Sequence, residues 1–239
     1  MRTLLIVNAD DLGYDPAIDR GIFLAHAEGL VTAATVMVDT PFAERALGEA
    51  PESLDLGLHV VLAGDPPSGT RSAIDRQIAR FTELRGAPPT HLDSHRHVHA
   101  TPGALRAFAE AARDAGIPLR ALDAPMRETL RGLGVATTDA FLGDGALRPC
   151  WTKERLRSAL GELPEGVVEL MCHPGLAPTH ARTSFAAARE VELAALCDPG
   201  MVPLLQVAEV ALGRFPELMA RFGPQAPKRA ATKCPERGS

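Results

Sequence analysis

Short apolar runs alternate along this chain with stretches whose apolar residues recur at helical spacing. Leu4–Asn8 is short, mostly apolar and partly β-branched, which predicts a buried strand. Residues 15–29 carry Ile18, Ile22, Phe23, Ala25 and His26 at helical spacing, and Gly29 suits the helix end. A strand over 32–38, a helix from Pro41 to about 49 and a strand over 54–62 follow. The same reading gives a helix near 72–85, a strand at 90–95 and a helix at 102–115. Short strands are expected at 118–122 and 135–141, a helix at 152–161 and a strand at 167–172. Helices at 184–197 and near 202–207 precede a last strand at about 209–215. Strands alternating with helices imply right-handed βαβ units and a parallel sheet. Seven or eight such units in a chain of this length favour a closed, TIM-barrel-like (β/α) barrel of about seven to eight parallel strands over an open sheet. No linker or internal repeat interrupts the pattern, so residues 1–222 are expected to form one domain. Residues 223–239, polar and proline-rich, are expected to be a flexible tail.

Composition narrows the classes of partner. Hydrophobic residues at 46% and charged residues at 23% permit a packed core. A net charge of −5 offers no basic stripe to a nucleic-acid backbone. No apolar run approaches a membrane span. The opening MRTLLIVNADD meets carboxylates where a cleavage region would stand, so it reads as a first strand rather than a signal peptide. Four cysteines, Cys150, Cys172, Cys197 and Cys234, form no CxxC pair, which argues against thiolate zinc and a disulfide framework. A reducing cytoplasm is the expected compartment. Oligomeric state is left open, with a homodimer among the options.

In parallel α/β folds the active site is built at the C-terminal ends of the strands. Four polar clusters stand there: NADD at 8–11, GLH at 57–59, HLDSHRHVH at 91–99 and ELMCHPG at 169–175. Asp10 and Asp11 repel each other, and burial without a cation would cost several kcal/mol; the plain alternative is that one of them caps the next helix. His59 is either a packed core histidine or a ligand. His91, Asp93, His95, His97 and His99 share one face of an extended chain, a geometry that must break where the strand ends, so not all four imidazoles can converge. Asp93 could hold the free ring N–H of a ligating histidine. Glu169 is a charge inside a strand and needs a partner. His173, ahead of Pro174 and Gly175, is a general acid or a turn-bonding histidine. One carboxylate and two imidazoles from three strands make a centre suited to Zn, Mn, Co, Ni, Fe or, less comfortably, Mg. A spare carboxylate beside it could take a proton from water, and a further histidine could protonate a leaving group, which is metal-assisted hydrolysis of an acyl or phosphoryl bond.

These motifs, NADDLG at 8–13, GLHVVL at 57–62, THLDSHRHVH at 90–99 and ELMCHPG at 169–175, resemble the YdjC-like carbohydrate deacetylases, which include the chitooligosaccharide deacetylases. The stretch 21–38 also looks like that family's first helix and second strand, and the likeness covers roughly residues 1–215. The resemblance implies a distorted (β/α) barrel, one divalent cation (Mg, Zn, Mn or Co) and removal of acetyl from a small N-acetylated sugar. It implies Asp11, His59 and His95 as ligands, Asp10 as the water-activating base and His173 as the acid. His97 and His99 would lie near the centre or the substrate, and His91 would be structural. Tyr14, in the first strand–helix loop, is the expected cleft residue, since the aromatic content of 4% argues against a long sugar groove. The competing readings are hydrolysis of another amide or a phosphoester on the same centre, and a sugar-binding barrel without turnover.

Overall fold

The computed structural model describes residues 3–62, 69–143 and 150–222. The chain runs β1 (Leu4–Leu12), α1 (Pro16–Ala27), β2 (Ala33–Val36), α2 (Ala43–Glu49), β3 (Asp55–Val60), α3 (Thr70–Arg85) and β4 (Leu92–Ser94). A 3-10 turn at His95–Ala100 leads to α4 (Leu105–Ala115), α5 (Ala124–Gly132), β5 (Ala140–Leu142), α6 (Lys153–Gly161) and β6 (Val167–Cys172). Helices α7 (Ala186–Leu196) and α8 (Met201–Val207), strand β7 (Ala211–Leu212) and helix α9 (Phe215–Phe222) complete it. The expected tail at 223–239 lies outside the described residues.

All strand pairings are parallel, in the order β4-β3-β2-β1-β6-β5, with β7 off this path against the first residues of β1. The named strands therefore make a curled six-strand path rather than the regular seven- to eight-stranded barrel that the alternation predicts. The wall between β4 and β5 is irregular. There the expected strand at 118–122 shrinks to a single bridge, Leu92 to Leu119, and Leu119 N–H donates to the Ala136 carbonyl. Asp139 N–H in turn donates to the Val167 carbonyl. Pro118 has no N–H to extend a ladder, and part of the intervening chain is used by α5. That helix starts with a side-chain cap from Asp123 to the Met126 N–H.

Alternate strand residues face the two sides of the sheet. Leu5, Val7, Leu58, Leu92, Val168 and Leu170 join the large apolar cluster under the helices. Leu4, Ile6, Ala33 and Val167 face the other way, and Phe215 and Leu218 of α9 pack on them as a separate cluster. Helix α9 thus fills the N-terminal end of the curled sheet, and Asp55 accepts the Phe215 N–H at 2.9 Å. Burial of Phe215 and Leu218 contributes about 1.5–3 kcal/mol each.

Above this plug the interior turns polar. His91 stacks on Phe215, ring centroids 3.7 Å apart, and bonds the Asn8 amide oxygen at 2.9 Å. A β-carbon on Gly57 would lie 2.5 Å from the His91 ring, so only glycine leaves room for it. Burial first, then the nearby Arg120 charge, holds the His91 pKa well below its usual value, so this imidazole is a neutral part of the core.

Candidate metal centre and active site

The first strand carries both aspartates into the interior by means of a bulge. Between Ala9 and Leu12 β1 advances three residues while β2 advances two, from Ala34 to Val36. The extra residue is Asp11, with φ 72°, a left-handed conformation that few non-glycine residues adopt. The bulge breaks the alternation that would have sent Asp10 and Asp11 to opposite faces. Such strain persists where surrounding structure fixes it, most often at functional sites.

Asp11 Oδ1 lies 3.4 Å from His59 Nε2 and 3.2 Å from His95 Nδ1. These three ligand atoms all fall within 4.8 Å of one another, on β1, on β3 and just past the end of β4. Asp11 Oδ1 is buried and has no hydrogen-bond partner among the described residues. An orphaned carboxylate oxygen facing two imidazole nitrogens is what a divalent cation requires, and it is otherwise costly. His59 Nδ1 is taken by Asp93 Oδ1 at 2.6 Å, which leaves Nε2 free to face Asp11. Burial opposes a charge on His59, but Asp93 and Asp11 outweigh it and raise its pKa to about 10. A cation bound to Nε2 would therefore have to displace a proton.

Arg120 organises the layer below. Its Nη1 and Nη2 fork onto Asp10, both at 2.8 Å, Nη2 also reaches Asp93 at 2.8 Å, and Nε donates to Glu169 at 2.7 Å. Burial works against ionisation of Asp10, yet the Arg120 guanidinium prevails and holds that carboxyl well below the usual range. Glu169 responds oppositely: burial dominates and pushes its pKa up to about 7. Asp10, Asp11 and Asp93 face two guanidiniums, those of Arg120 and Arg189, and the His59 imidazole; once His59 is neutral, negative charge is in excess. The balance accommodates further positive charge, and two imidazoles with one carboxylate are a fitting donor set for it. A second cluster, Asp10, His59 and Asp93, also has close ligand atoms, but Arg120 already bonds both of its carboxylates.

His173, just past the end of β6, places Nε2 4.0 Å from Asp10 Oδ2 and rests its ring on Phe185, centroids 4.9 Å apart. Asp10, Asp11, Asp93, His59, His95 and His173 thus form one connected cluster. The remaining histidines of the 91–99 run do not. Arg96 and His97 are both left-handed, φ 56° and 54°, so the chain coils and the side chains diverge. His97 packs edge-on against Phe141, and burial, then Arg120, lowers its pKa to about 4. His99 turns back to the Ser94 hydroxyl at 2.6 Å and lies against Phe108. Tyr14 is half-buried, its ring 6.4 Å from that of His95 and its hydroxyl donating to the Arg182 carbonyl.

Arg120, Arg189 and Glu192 have no assignment from the sequence. A signal existed for each. Arg120 is a charge inside an expected strand, the argument applied to Glu169, and the two are partners. Arg189 and Glu192 stand on the same stripe of the expected 184–197 helix as Leu193 and Leu196.

Fold and site together define an α/β protein with a two-histidine, one-aspartate centre at the C-terminal ends of a curled parallel sheet. The chain belongs to the YdjC-like protein family, whose model matches residues 4–75 and 67–207. It is 34% identical to a carbohydrate deacetylase of Geobacillus stearothermophilus over 80% of this chain and 88% of the relative. It is 31% identical to a chitooligosaccharide deacetylase of Serratia marcescens, over 91% of this chain and all of that protein. Among solved structures, a candidate cellobiose-phosphate cleavage protein of Enterococcus faecalis V583 superposes with a TM-score of 0.79 at 25% identity, covering 91% and 99% of the two chains. A family 4 carbohydrate esterase of Streptomyces lividans shares the fold at 14% identity, TM-score 0.54, covering 88% and 91%.

Proposed function

We propose that this protein is a metal-dependent hydrolase that removes acetyl from a small N-acetylated sugar or short oligosaccharide. The observation that carries the proposal is the gathering of Asp11 Oδ1, His59 Nε2 and His95 Nδ1 beside Asp10 and His173. The names of the relatives, carbohydrate deacetylase and chitooligosaccharide deacetylase, supply the substrate class. Asp11, His59 and His95 would hold one divalent cation, Mg, Zn, Mn or Co. Bound there, it supplies Lewis acidity, polarising the acetyl carbonyl and acidifying water.

This chain's own residues do the rest. Asp10, kept ionised by Arg120, accepts the proton of the attacking water but is too weak a base to retain it. His173 Nε2, 4.0 Å from Asp10 Oδ2, gives its proton to the departing amine and regains the one that Asp10 took from water, so both residues return to their starting state. Arg120 fixes the orientation of Asp10 through two hydrogen bonds, so that neither carboxylate oxygen swings away. Tyr14 lines the approach beside His95.

The test is acetate release from N-acetylglucosamine and its short oligomers by metal-loaded protein, with Asp10→Asn as control. The expected result is turnover that Asp10→Asn abolishes while the metal content is unchanged. Phosphate release from aryl phosphates with no acetate from any of these sugars would refute the reading, and so would a silent wild-type protein.

A further inference from the structure

Helix α7 touches both sides of this centre. Arg189 is buried, and its Nη2 donates to Asp11 Oδ2, the oxygen not facing the histidines. One turn on, buried Glu192 accepts the His173 N–H on Oε2 and the Trp151 N–H, at 3.2 Å, on Oε1. Backbone contact reinforces the link. Gly175 N–H donates to the Arg189 carbonyl at 3.3 Å, and a β-carbon at Gly175 would meet the Arg189 stem at 3.0 Å. Gly175 also lies so close to α1 that a β-carbon on Gly21 would fall 2.4 Å from it. The His173–Gly175 turn is therefore wedged between α1 and α7.

Stability alone does not explain Arg189. Its Nε and Nη1 are buried without partners among the described residues. A guanidinium held by one carboxylate oxygen, with two donors unmet, is a poor exchange for an apolar side chain of similar volume. Among the described residues its ion pair is made to the strained residue Asp11.

Building on the proposed metal centre, we infer that Arg189 and Glu192 are positioning residues. Arg189 holds Asp11 Oδ2, so that Asp11 presents only Oδ1 to the cation. Glu192 fixes the backbone of His173, so that Nε2 faces Asp10. A single helix face thereby sets the distance between the cation ligand and the acid, and any slide of α7 would disturb both at once.

The test is Co(II) binding to the full chain, read as the visible d–d spectrum and as Kd by competition with a chromophoric chelator. Wild type, Arg189→Lys, Arg189→Met and Glu192→Gln are compared. Both Arg189 variants should weaken Co(II) binding about 10–100-fold and change the spectrum, because Asp11 is freed to rotate. Arg189→Lys, which keeps the charge, decides the matter if Arg189→Met fails to fold. Glu192→Gln should keep the wild-type Kd and spectrum and lower kcat about tenfold or more at unchanged KM. Wild-type Kd and spectrum in the Arg189 variants would overturn the inference for Arg189, and wild-type kcat in Glu192→Gln would overturn it for Glu192. A wild-type protein that binds no Co(II) would instead remove the metal centre itself.

Discussion

If Asp11, His59 and His95 hold a cation as proposed, its binding should release a proton from His59. In the metal-free protein its pKa of about 10 means that, at pH 8, about 99% of the imidazole is charged. A cation needs the neutral ring, with Nε2 as donor and Nδ1 still bonded to Asp93. Asp11 contributes no proton: burial opposes its ionisation, but the neighbouring His59 and His95 imidazoles and the Arg189 guanidinium hold its carboxyl well below the usual range. His59 thus accounts for about one proton per cation at pH 8, and affinity should rise about tenfold per pH unit from 7 to 9, flattening above pH 10. The metal-free protein carries the mirror image. A folded pKa raised above the unfolded value gives stability that is complete below about pH 6.5 and lost as pH rises through about 10. The metal-loaded protein lacks that slope. Calorimetric titration with Zn(II) or Co(II) in buffers of different ionisation enthalpy measures the proton count. Zero protons at pH 8, or a Kd that does not change between pH 7 and 9, would refute the assignment of His59.

Three further outcomes follow from the geometry. Gly57→Ala would push a methyl to 2.5 Å from the His91 ring and weaken its bond to Asn8. A loss of about 2–4 kcal/mol is expected, and a Tm within a degree of wild type would dismiss the overpacking argument. Arg120→Lys cannot fork onto Asp10, so kcat should fall about 100-fold or more with metal content unchanged; wild-type turnover would mean that Asp10 needs no guanidinium. Asp15 accepts the N–H groups of Thr179, His180 and Ala181 on one oxygen and caps α1 with the other. Asp15→Ala should cost about 1–2 kcal/mol and speed proteolysis across residues 176–185, and an unchanged cleavage rate would count against the anchor.

The strand–helix alternation was legible because its strands are buried apolar runs, and β6 matches its expected bounds of 167–172. The motif ends were legible too: polar residues closing apolar strands must meet something polar. What sequence reasoning could not supply was the bulge. Nothing in NADD announces that Asp11 takes a left-handed φ, yet that turn brings both aspartates to one side. The short helix α9 was hidden because Val210, Leu212 and Phe215 read as one strand, whereas Gly213 ends the pairing and Phe215 folds under the sheet. Helix α5 was missed although Asp123 and Pro125 form an ordinary helix start. Arg120, Arg189 and Glu192 are long-range partners, separated from what they touch by up to 178 residues, a distance that no local pattern spans.

The plug made by Phe215 and Leu218 turns the curled sheet into a cup rather than a pipe. His95 and Tyr14 lie at the opposite, C-terminal end of the strands, so a substrate of the proposed reaction would approach from that side. If the proposed hydrolysis takes place there, acetate and amine would both leave from the strands' C-terminal side, and the slower of the two would delay the next substrate.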